Sequence, residues 1–189
     1  MEAFLVSVLV VAVSEVGDKT QLLAFVLAAR FRRPLPIVSG ILVATLVNHT
    51  IAGAIGAWVR SIVPAQYLRW LLAASFLGVA LWALKPDRHD GQETGPPGRA
   101  SVFTTTVITF FLAEIGDKTQ IATVMLAAHY GNLAAVVAGT TLGMLLADAP
   151  VVYLGRAAAD RIPLRAVRLV AAVLFVVMAI VALTLPQPE

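Results

Sequence analysis

The sequence predicts an all-α integral membrane protein, with six transmembrane helices arranged as two inverted-topology repeats of three helices. Three observations predict this fold. First, 59% of the 189 residues are hydrophobic and only 13% are charged, whereas soluble domains carry about 25% charged residues. Second, the apolar residues fall into six blocks, each long enough to cross a hydrocarbon core of ~30 Å. Third, the second half of the chain repeats the first.

The six apolar blocks predict the transmembrane helices in order. They lie at 3–29, 35–59, 66–84, 102–128, 133–154 and 165–185. The polar run between the third and fourth blocks is rich in glycine and proline, which is typical of a linker. We therefore expect a first repeat at 1–84, a cytoplasmic linker at 85–101 and a second repeat at 102–189.

A heptapeptide marks the duplication. Glu15-Val16-Gly17-Asp18-Lys19-Thr20-Gln21 returns as Glu114-Ile115-Gly116-Asp117-Lys118-Thr119-Gln120, with six of seven positions identical. The same offset aligns further identical residues along the chain, among them Phe4 with Phe103, Gly40 with Gly139 and Phe76 with Phe175. Because each unit contains three helices, the second unit enters the membrane from the opposite side, as in many secondary transporters.

Basic residues predict how the protein is oriented in the cell membrane. Cytoplasmic loops carry an excess of lysine and arginine. The first, third and fifth loops hold ten such residues, and the opposite side holds only Arg60 and Arg69. The ten are Arg30, Arg32, Arg33, Lys85, Arg88, Arg99, Arg156, Arg161, Arg165 and Arg168. We expect a multi-pass protein with a cytoplasmic 85–101 loop and both termini outside.

The repeated heptapeptide places charge at membrane depth. Glu15 and Glu114 each lie about a dozen residues into their blocks, or roughly 18 Å at 1.5 Å per residue, which is close to the midplane. On a continuous helix, glutamate, aspartate and glutamine spaced three apart would share one face. Gly17 and Gly116 weaken a helix by about 1 kcal/mol relative to alanine, and unwinding there would free carbonyls as further ligands.

Formal charge indicates a divalent cation. Two motifs together contain four carboxylates and two ammonium groups, a sum of −2 when all are ionised. The chain has no cysteine, so hard oxygen ligands remain, and these suit Mg²⁺, Ca²⁺ or Mn²⁺. Four clustered carboxylates cannot all stay ionised in a low dielectric without the metal. Proton binding should therefore alternate with metal binding, as in antiport.

Purely structural roles for the motif residues remain open as alternatives. Glu15 could pair with Lys19, and Glu114 with Lys118, as ion pairs four residues apart that only hold helices together. The two lysines could balance charge or take part in gating. The threonines could bond their own helix backbones rather than a ligand.

A second polar position departs from the repeat. Asp148 lies in the fifth apolar block, and the repeat places His49 opposite it, with Asn48 one residue before. Because histidine and aspartate differ in proton affinity, the pair could form a proton path or support the metal ligands asymmetrically. Hydrogen bonding between helices is the alternative.

These motifs resemble those of a divalent cation/proton exchanger family marked by duplicated Glu-x-Gly-Asp-Lys/Arg-Thr/Ser. The family includes bacterial manganese exporters of the MneA type and the Golgi and chloroplast Mn/Ca transporters of eukaryotes. The resemblance covers essentially the whole chain. It implies a six-helix inverted-repeat fold and export of Mn²⁺ or Ca²⁺ against protons. Among these relatives the compact chain is most similar to the bacterial proteins, so we expect the inner membrane of a bacterium and Mn²⁺ as the main substrate. It places the acidic site residues at Glu15, Asp18, Glu114 and Asp117, with Thr20, Gln21, Thr119 and Gln120 as polar companions.

Other functions stay open at this point. A Ca²⁺/H⁺ antiporter and a passive divalent cation channel use the same ligands, and a helical scaffold is a further alternative. An intramembrane aspartyl protease would use two buried aspartates, here Asp18 and Asp117, but such enzymes carry Gly-x-Gly-Asp rather than this motif. We expect a transporter without enzymatic activity, cofactor or nucleic-acid partner, in contact with the bilayer and compatible with a homo-oligomer.

Overall fold

The computed structural model describes residues 1–84, 101–154 and 164–184, and for 164–168 it describes the backbone only. These residues form eight helices and no strand, which confirms the all-helical prediction. The helices are α1 Glu2–Glu15, α2 Lys19–Phe31, α3 Pro34–Ile62, α4 Ala65–Ala83, α5 Val102–Glu114, α6 Lys118–Tyr130, α7 Leu133–Leu154 and α8 Leu164–Thr184. Most of the predicted linker, and the side chains of Lys85, Arg88, Arg99, Arg156, Arg161, Arg165 and Arg168, lie outside the described residues.

The helices follow the six apolar blocks, with two of the blocks divided. The first block forms α1 and α2, and the fourth forms α5 and α6. By length and composition alone, α3 and α7 are each long and apolar enough to cross a membrane. The ranges Val102–Glu114 and Leu169–Thr184 form shorter apolar helices.

Large apolar side chains cover the outside of the helices. Trp58 near the end of α3 is 61% exposed, and Trp70 near the start of α4 is 60% exposed. Extended exposed apolar surfaces are rare on soluble monomers, whereas tryptophan is enriched at both membrane interfaces. This surface is therefore suited to contact with lipid.

Equivalent residues of the two repeats make equivalent contacts. Helix α1 packs on α7, and its counterpart α5 packs on α3. A Cβ added at Gly139 would lie 2.8 Å from the Ser7 Cβ atom, and one added at Gly40 would lie 2.7 Å from the Thr106 Cβ atom. Small residues permit such close helix packing within a membrane. The two contacts are the same contact with the repeats exchanged.

The third helices of the two repeats pack against each other. Helix α4 contacts α8, and Phe76 stacks on its counterpart Phe175 with 6.4 Å between the ring centroids. Both rings are fully buried. The apolar cluster around them reaches Leu126 of α6, and a second cluster joins α1, α2, α3, α5 and α7. These two clusters hold the interrupted helices in place.

Candidate metal centre

Each motif forms a tight turn that interrupts a helix. Val16 has φ −62° and ψ 119°, and Gly17 has φ +80°, which are the angles of a type II turn with glycine at its third position. The Asp18 N–H donates to the Glu15 carbonyl oxygen at 3.0 Å. The prediction that glutamate, aspartate and glutamine share one face of a continuous helix is therefore wrong, because α1 ends at this glycine with its positive φ. The Glu15 carbonyl is also engaged in the turn rather than freed.

The second motif repeats this geometry. Ile115 has φ −61° and ψ 120°, Gly116 has φ +74°, and the Asp117 N–H donates to the Glu114 carbonyl oxygen at 3.1 Å. Glycine adopts positive φ without the steric cost that a Cβ atom brings. The motif glycine is thus required by the turn, and the helix breaks where the sequence predicted a weak point.

Glutamine holds the first turn and attaches it to the other repeat. The Gly17 N–H donates to Gln21 Oε1 at 2.9 Å. The Gln21 Nε2 group then donates to the carbonyl oxygen of Ala147 in α7 at 3.1 Å. Because its oxygen already accepts the glycine N–H, Gln21 positions the turn in this structure. The acceptor for the Gln21 amide is a backbone carbonyl group. Because every residue has such a group, the sequence could not predict this contact.

The second glutamine uses Asn48 instead of a backbone group. The Gly116 N–H donates to Gln120 Oε1 at 2.8 Å, and Gln120 Nε2 donates to Asn48 Oδ1 at 3.4 Å. The Asn48 Nδ2 group donates to the carbonyl oxygen of Phe111 at 3.1 Å. Asn48 of α3 therefore links the first repeat to the second motif.

The motif threonines orient the glutamates. Thr20 Oγ1 donates to Glu15 Oε2 at 2.5 Å, and Thr119 Oγ1 donates to Glu114 Oε2 at 3.2 Å. The alternative in which both hydroxyls bond their own helix backbones is therefore wrong. Both glutamates are fully buried, and their Oε1 atoms have no hydrogen-bond partner in the described part of the chain.

The two lysines pair across the repeats. Lys19 Nζ lies 3.0 Å from Asp117 Oδ1, and Lys118 Nζ lies 3.1 Å from Asp18 Oδ1. The alternative pairing of each lysine with the glutamate of its own motif is wrong, because the helix break separates the two residues. The lysines neutralise the aspartates and join the two motifs.

Three acidic residues converge between the motifs. Glu15, Glu114 and Asp117 are buried, and each offers one oxygen atom so that the three atoms lie within 4.8 Å of one another. Ligands of one Ca²⁺ at 2.3–2.6 Å are separated by about this distance or less. The fourth predicted acid, Asp18, is outside this group and pairs with Lys118. The arrangement can hold one hard divalent cation.

Asp148 and His49 are also buried beside this region. Both are 0% exposed, and the side-chain oxygens of Asp148 and ring nitrogens of His49 have no hydrogen-bond partner among the described residues. The alternative of helix-to-helix hydrogen bonding is therefore not what the structure shows. Asp148 lies close enough to Glu15 and Glu114 to repel both electrostatically.

Comparisons with known proteins all point to the same family. The family model described as "Divalent cation/proton antiporter GDT1" matches residues 3–91 and 102–186. A Vibrio cholerae protein named "Putative manganese exporter" is 48% identical over 95% of this chain and 90% of its own length. A GDT1-like protein of Synechocystis is 31% identical over 96% of this chain and 97% of its own length.

More distant relatives extend the match to plants. A GDT1-like protein of Arabidopsis thaliana is 25% identical over 98% of this chain and 97% of its own length. No solved structure matches the chain significantly. These findings confirm the family expected from the motifs and exclude the protease reading. The chain belongs to the GDT1 family of divalent cation/proton antiporters, and it is a membrane cation transporter rather than an enzyme.

Proposed function

We propose that the chain exports Mn²⁺ from the cytoplasm in exchange for protons, by alternating access at a single site between its two motifs. The observation that carries the proposal is the convergence of Glu15, Glu114 and Asp117 at two helix breaks. Intramembrane acids are costly and mark ion pathways in most membrane proteins. Two of these acids also keep an unpartnered buried oxygen, which a bound cation would satisfy.

The choice of Mn²⁺ rests on the ligand type and on one relative. Carboxylate oxygens suit Mn²⁺, Ca²⁺ and Mg²⁺ alike, so the donor set alone permits all three. The Vibrio relative at 48% identity carries a manganese name, and this favours Mn²⁺ as the main substrate. Ca²⁺ is the second candidate, because it accepts the same carboxylates at longer distances.

Proton exchange follows from the charge that the ion leaves behind. Lys19 is held by Asp117, and Lys118 is held by Asp18, so the two lysines offset the charge of Glu15 and Glu114 only in part. Uncompensated buried charges are strongly unfavourable. When the cation leaves, protons are the natural replacement at the glutamates. We therefore expect Mn²⁺ binding to weaken as the pH falls, because protons compete for the same oxygens.

An inverted repeat accounts for the symmetric contacts. The repeat exchanges one lysine–aspartate pair for the other and one glycine contact for the other, and the Phe76–Phe175 stack joins two equivalent residues. A pseudo-two-fold axis in the membrane plane produces such reciprocal contacts, as in other transporters. We propose six membrane spans on this basis, with α1–α2 and α5–α6 each forming one interrupted span.

Packing differences between the repeats suggest which side is closed. The Lys118 side chain is 8% exposed and that of Lys19 is 33% exposed. Arg60 donates to the carbonyl oxygens of Ala128 and His129 at 3.1 and 2.9 Å, which fixes the end of α6 against α3. We infer that the site is closed on the α6 side, which we expect to face outside because of the loop charges. During alternating access, the packing around α6 would then loosen and the packing around α2 would tighten.

Metal flux in proteoliposomes tests this function. Vesicles with an acidic lumen should take up Mn²⁺ as protons leave, and a protonophore should stop the uptake. Mn²⁺, Ca²⁺ and Mg²⁺ should be compared at equal concentration. Faster Ca²⁺ uptake would favour the Ca²⁺/H⁺ alternative, and uptake that ignores the pH gradient would favour a passive channel.

Matched variants separate the site from the rest of the protein. Glu15→Gln and Glu114→Gln each remove a buried carboxylate, so flux should fall roughly 100-fold or more, as expected for loss of a charged ligand. Glu2→Gln is the control, because Glu2 is an exposed carboxylate at the start of α1. Full Mn²⁺ flux in both site variants would contradict the proposal and favour a scaffold.

A further inference from the structure

We propose that Asp148 of α7 is a further ligand of the transported cation, one that lies outside both repeated motifs. This inference rests on the proposed function, because it assigns an additional residue to the same site. It makes the site asymmetric: the equivalent position in the first repeat is His49. The expected ligand is a hard divalent cation, since the added group is a carboxylate.

The burial of Asp148 calls for a positive partner. Its side chain is fully buried, and neither carboxylate oxygen has a hydrogen-bond partner in the described part of the chain. A buried polar group normally finds a partner, and a buried carboxylate without one is strongly unfavourable. Both motif lysines are already held by aspartates of the opposite motif. A cation in the site would supply the missing charge.

Asp148 lies on α7 at the level where this helix contacts the first motif. The preceding residue, Ala147, accepts a hydrogen bond from Gln21 at 3.1 Å, so α7 is attached to the first motif at this level. Asp148 repels both Glu15 and Glu114 electrostatically. Three acids from α1, α5 and α7 therefore surround one region, and each has at least one unpartnered oxygen among the described residues.

The charge balance gives Asp148 a distinct role. The two lysines form ion pairs with Asp18 and Asp117, whereas both oxygens of the buried Asp148 have no hydrogen-bond partner among the described residues. Asp148 is not part of the compact group in which three acidic oxygens lie within 4.8 Å of one another. We therefore place it at the edge of the site on the α7 side, where it would coordinate directly after a small shift or through water.

Equilibrium Mn²⁺ binding to the purified protein in detergent tests this assignment. Free Mn²⁺ can be followed by its electron paramagnetic resonance signal. For Asp148→Asn, which keeps the shape of the side chain, we expect the Kd to rise roughly 10- to 100-fold, the range seen when groups supporting a metal site are removed. Thr141→Val is the control, because it removes another buried, unpartnered polar atom from the same helix.

A second variant gives a readout that a structural aspartate would not change. Asp148→His replaces an oxygen donor by imidazole, which suits Zn²⁺ and Ni²⁺ better than Mn²⁺. The ratio of Zn²⁺ to Mn²⁺ affinity should therefore rise at least tenfold. Thermal unfolding of each variant without metal shows whether the protein is folded.

The outcomes separate this inference from the proposed function. If Asp148→Asn binds Mn²⁺ as tightly as the wild type while Glu15→Gln loses binding, Asp148 is not a ligand and the motif site stands. If Glu15→Gln also binds normally, the proposed function itself fails. An unchanged Zn²⁺ to Mn²⁺ ratio in a folded Asp148→His variant would likewise overturn the assignment.

Discussion

At the scale of single residues, each motif position has a different partner. Glu15 is oriented by Thr20, and Gly17 provides the turn. Gln21 fastens the turn to α7, and Lys19 crosses to the other motif. Glu15 keeps one side-chain oxygen, Oε1, that has no hydrogen-bond partner among the described residues. Most positions of the motif therefore hold the turn and the glutamate in place, and few remain as candidate metal ligands.

Removing the threonine hydroxyls should weaken metal binding. Hydrogen bonds to charged groups contribute about 1.5–3 kcal/mol, so Thr20→Val should raise the Kd for Mn²⁺ roughly tenfold or more. The effect of Thr119→Val should be smaller, because its bond to Glu114 is longer at 3.2 Å. Thr50→Val, which removes an exposed hydroxyl bonded to the Leu46 carbonyl, is the control. Equal affinities in all three variants would show that the threonines do not orient the glutamates.

Breaking one cross-repeat ion pair should destabilise the protein. Lys118→Met removes the ion pair of the buried Asp18, and breaking a buried pair costs about 3–5 kcal/mol. The double variant Lys118→Met with Asp18→Asn should recover most of this loss. Thermal unfolding in detergent measures both. The same cycle at Lys19 and Asp117 should give a smaller loss, because Lys19 is 33% exposed; an equal loss at both pairs would contradict the role of burial.

The residue types of the site could be predicted from the sequence, but their partners could not. Charge inside an apolar block identified Glu15 and Glu114 without any structure, since such groups are functional by default. From the sequence, Lys19 could pair with Glu15, because residues four apart are neighbours on a helix. In the structure Lys19 pairs with Asp117, which is 98 residues away along the chain (117 − 19). Such a choice depends on tertiary packing.

At the scale of the helix, the break is the element that brings the candidate metal ligands together. Helices α1 and α5 end at the site, and α2 and α6 begin there. The four helix ends thus meet where the acids converge. Interrupted helices occur at membrane depth only where protein or a cavity surrounds them. The composition of the blocks predicted the outer ends of these helices well, because loop residues bound them. The type of turn could be assigned only from the backbone angles in the structure.

Replacing the turn glycines should impair transport more than folding. Alanine at Gly17 or Gly116 must adopt positive φ, at a cost of about 1–2 kcal/mol, or else allow the helix to continue through the site. Mn²⁺ flux should fall roughly tenfold or more if the second occurs in most molecules. Gly78→Ala is the control, since its added Cβ meets no heavy atom within 4 Å. Normal flux in both turn variants would contradict a required break.

At the scale of the whole molecule, the duplication would give the proposed site from two incomplete halves. Each repeat supplies one turn, one lysine that crosses over, and one long helix that holds the opposite turn. The sequence predicted the duplication directly from the 99-residue offset (114 − 15). It could not predict the unequal packing around α2 and α6, because the repeats differ at scattered positions whose effect depends on their neighbours.

The orientation can be tested with single cysteines, since the chain contains none. Arg33→Cys and Ser61→Cys place one thiol at an exposed position at either end of α3. The excess of basic residues predicts that Arg33 is cytoplasmic. A membrane-impermeant maleimide should label Ser61→Cys in intact cells, and Arg33→Cys only after permeabilisation. The reverse labelling would invert the proposed direction of α3.

The number of Mn²⁺ ions bound per chain tests the central claim most directly. The claim is that both motifs build one site, so titration of the wild type should give one ion per chain. Glu15→Gln alone or Glu114→Gln alone should each abolish that binding at micromolar Mn²⁺, because each removes a shared ligand. Two ions per chain in the wild type, with one remaining in each single variant, would show two separate sites and contradict the account.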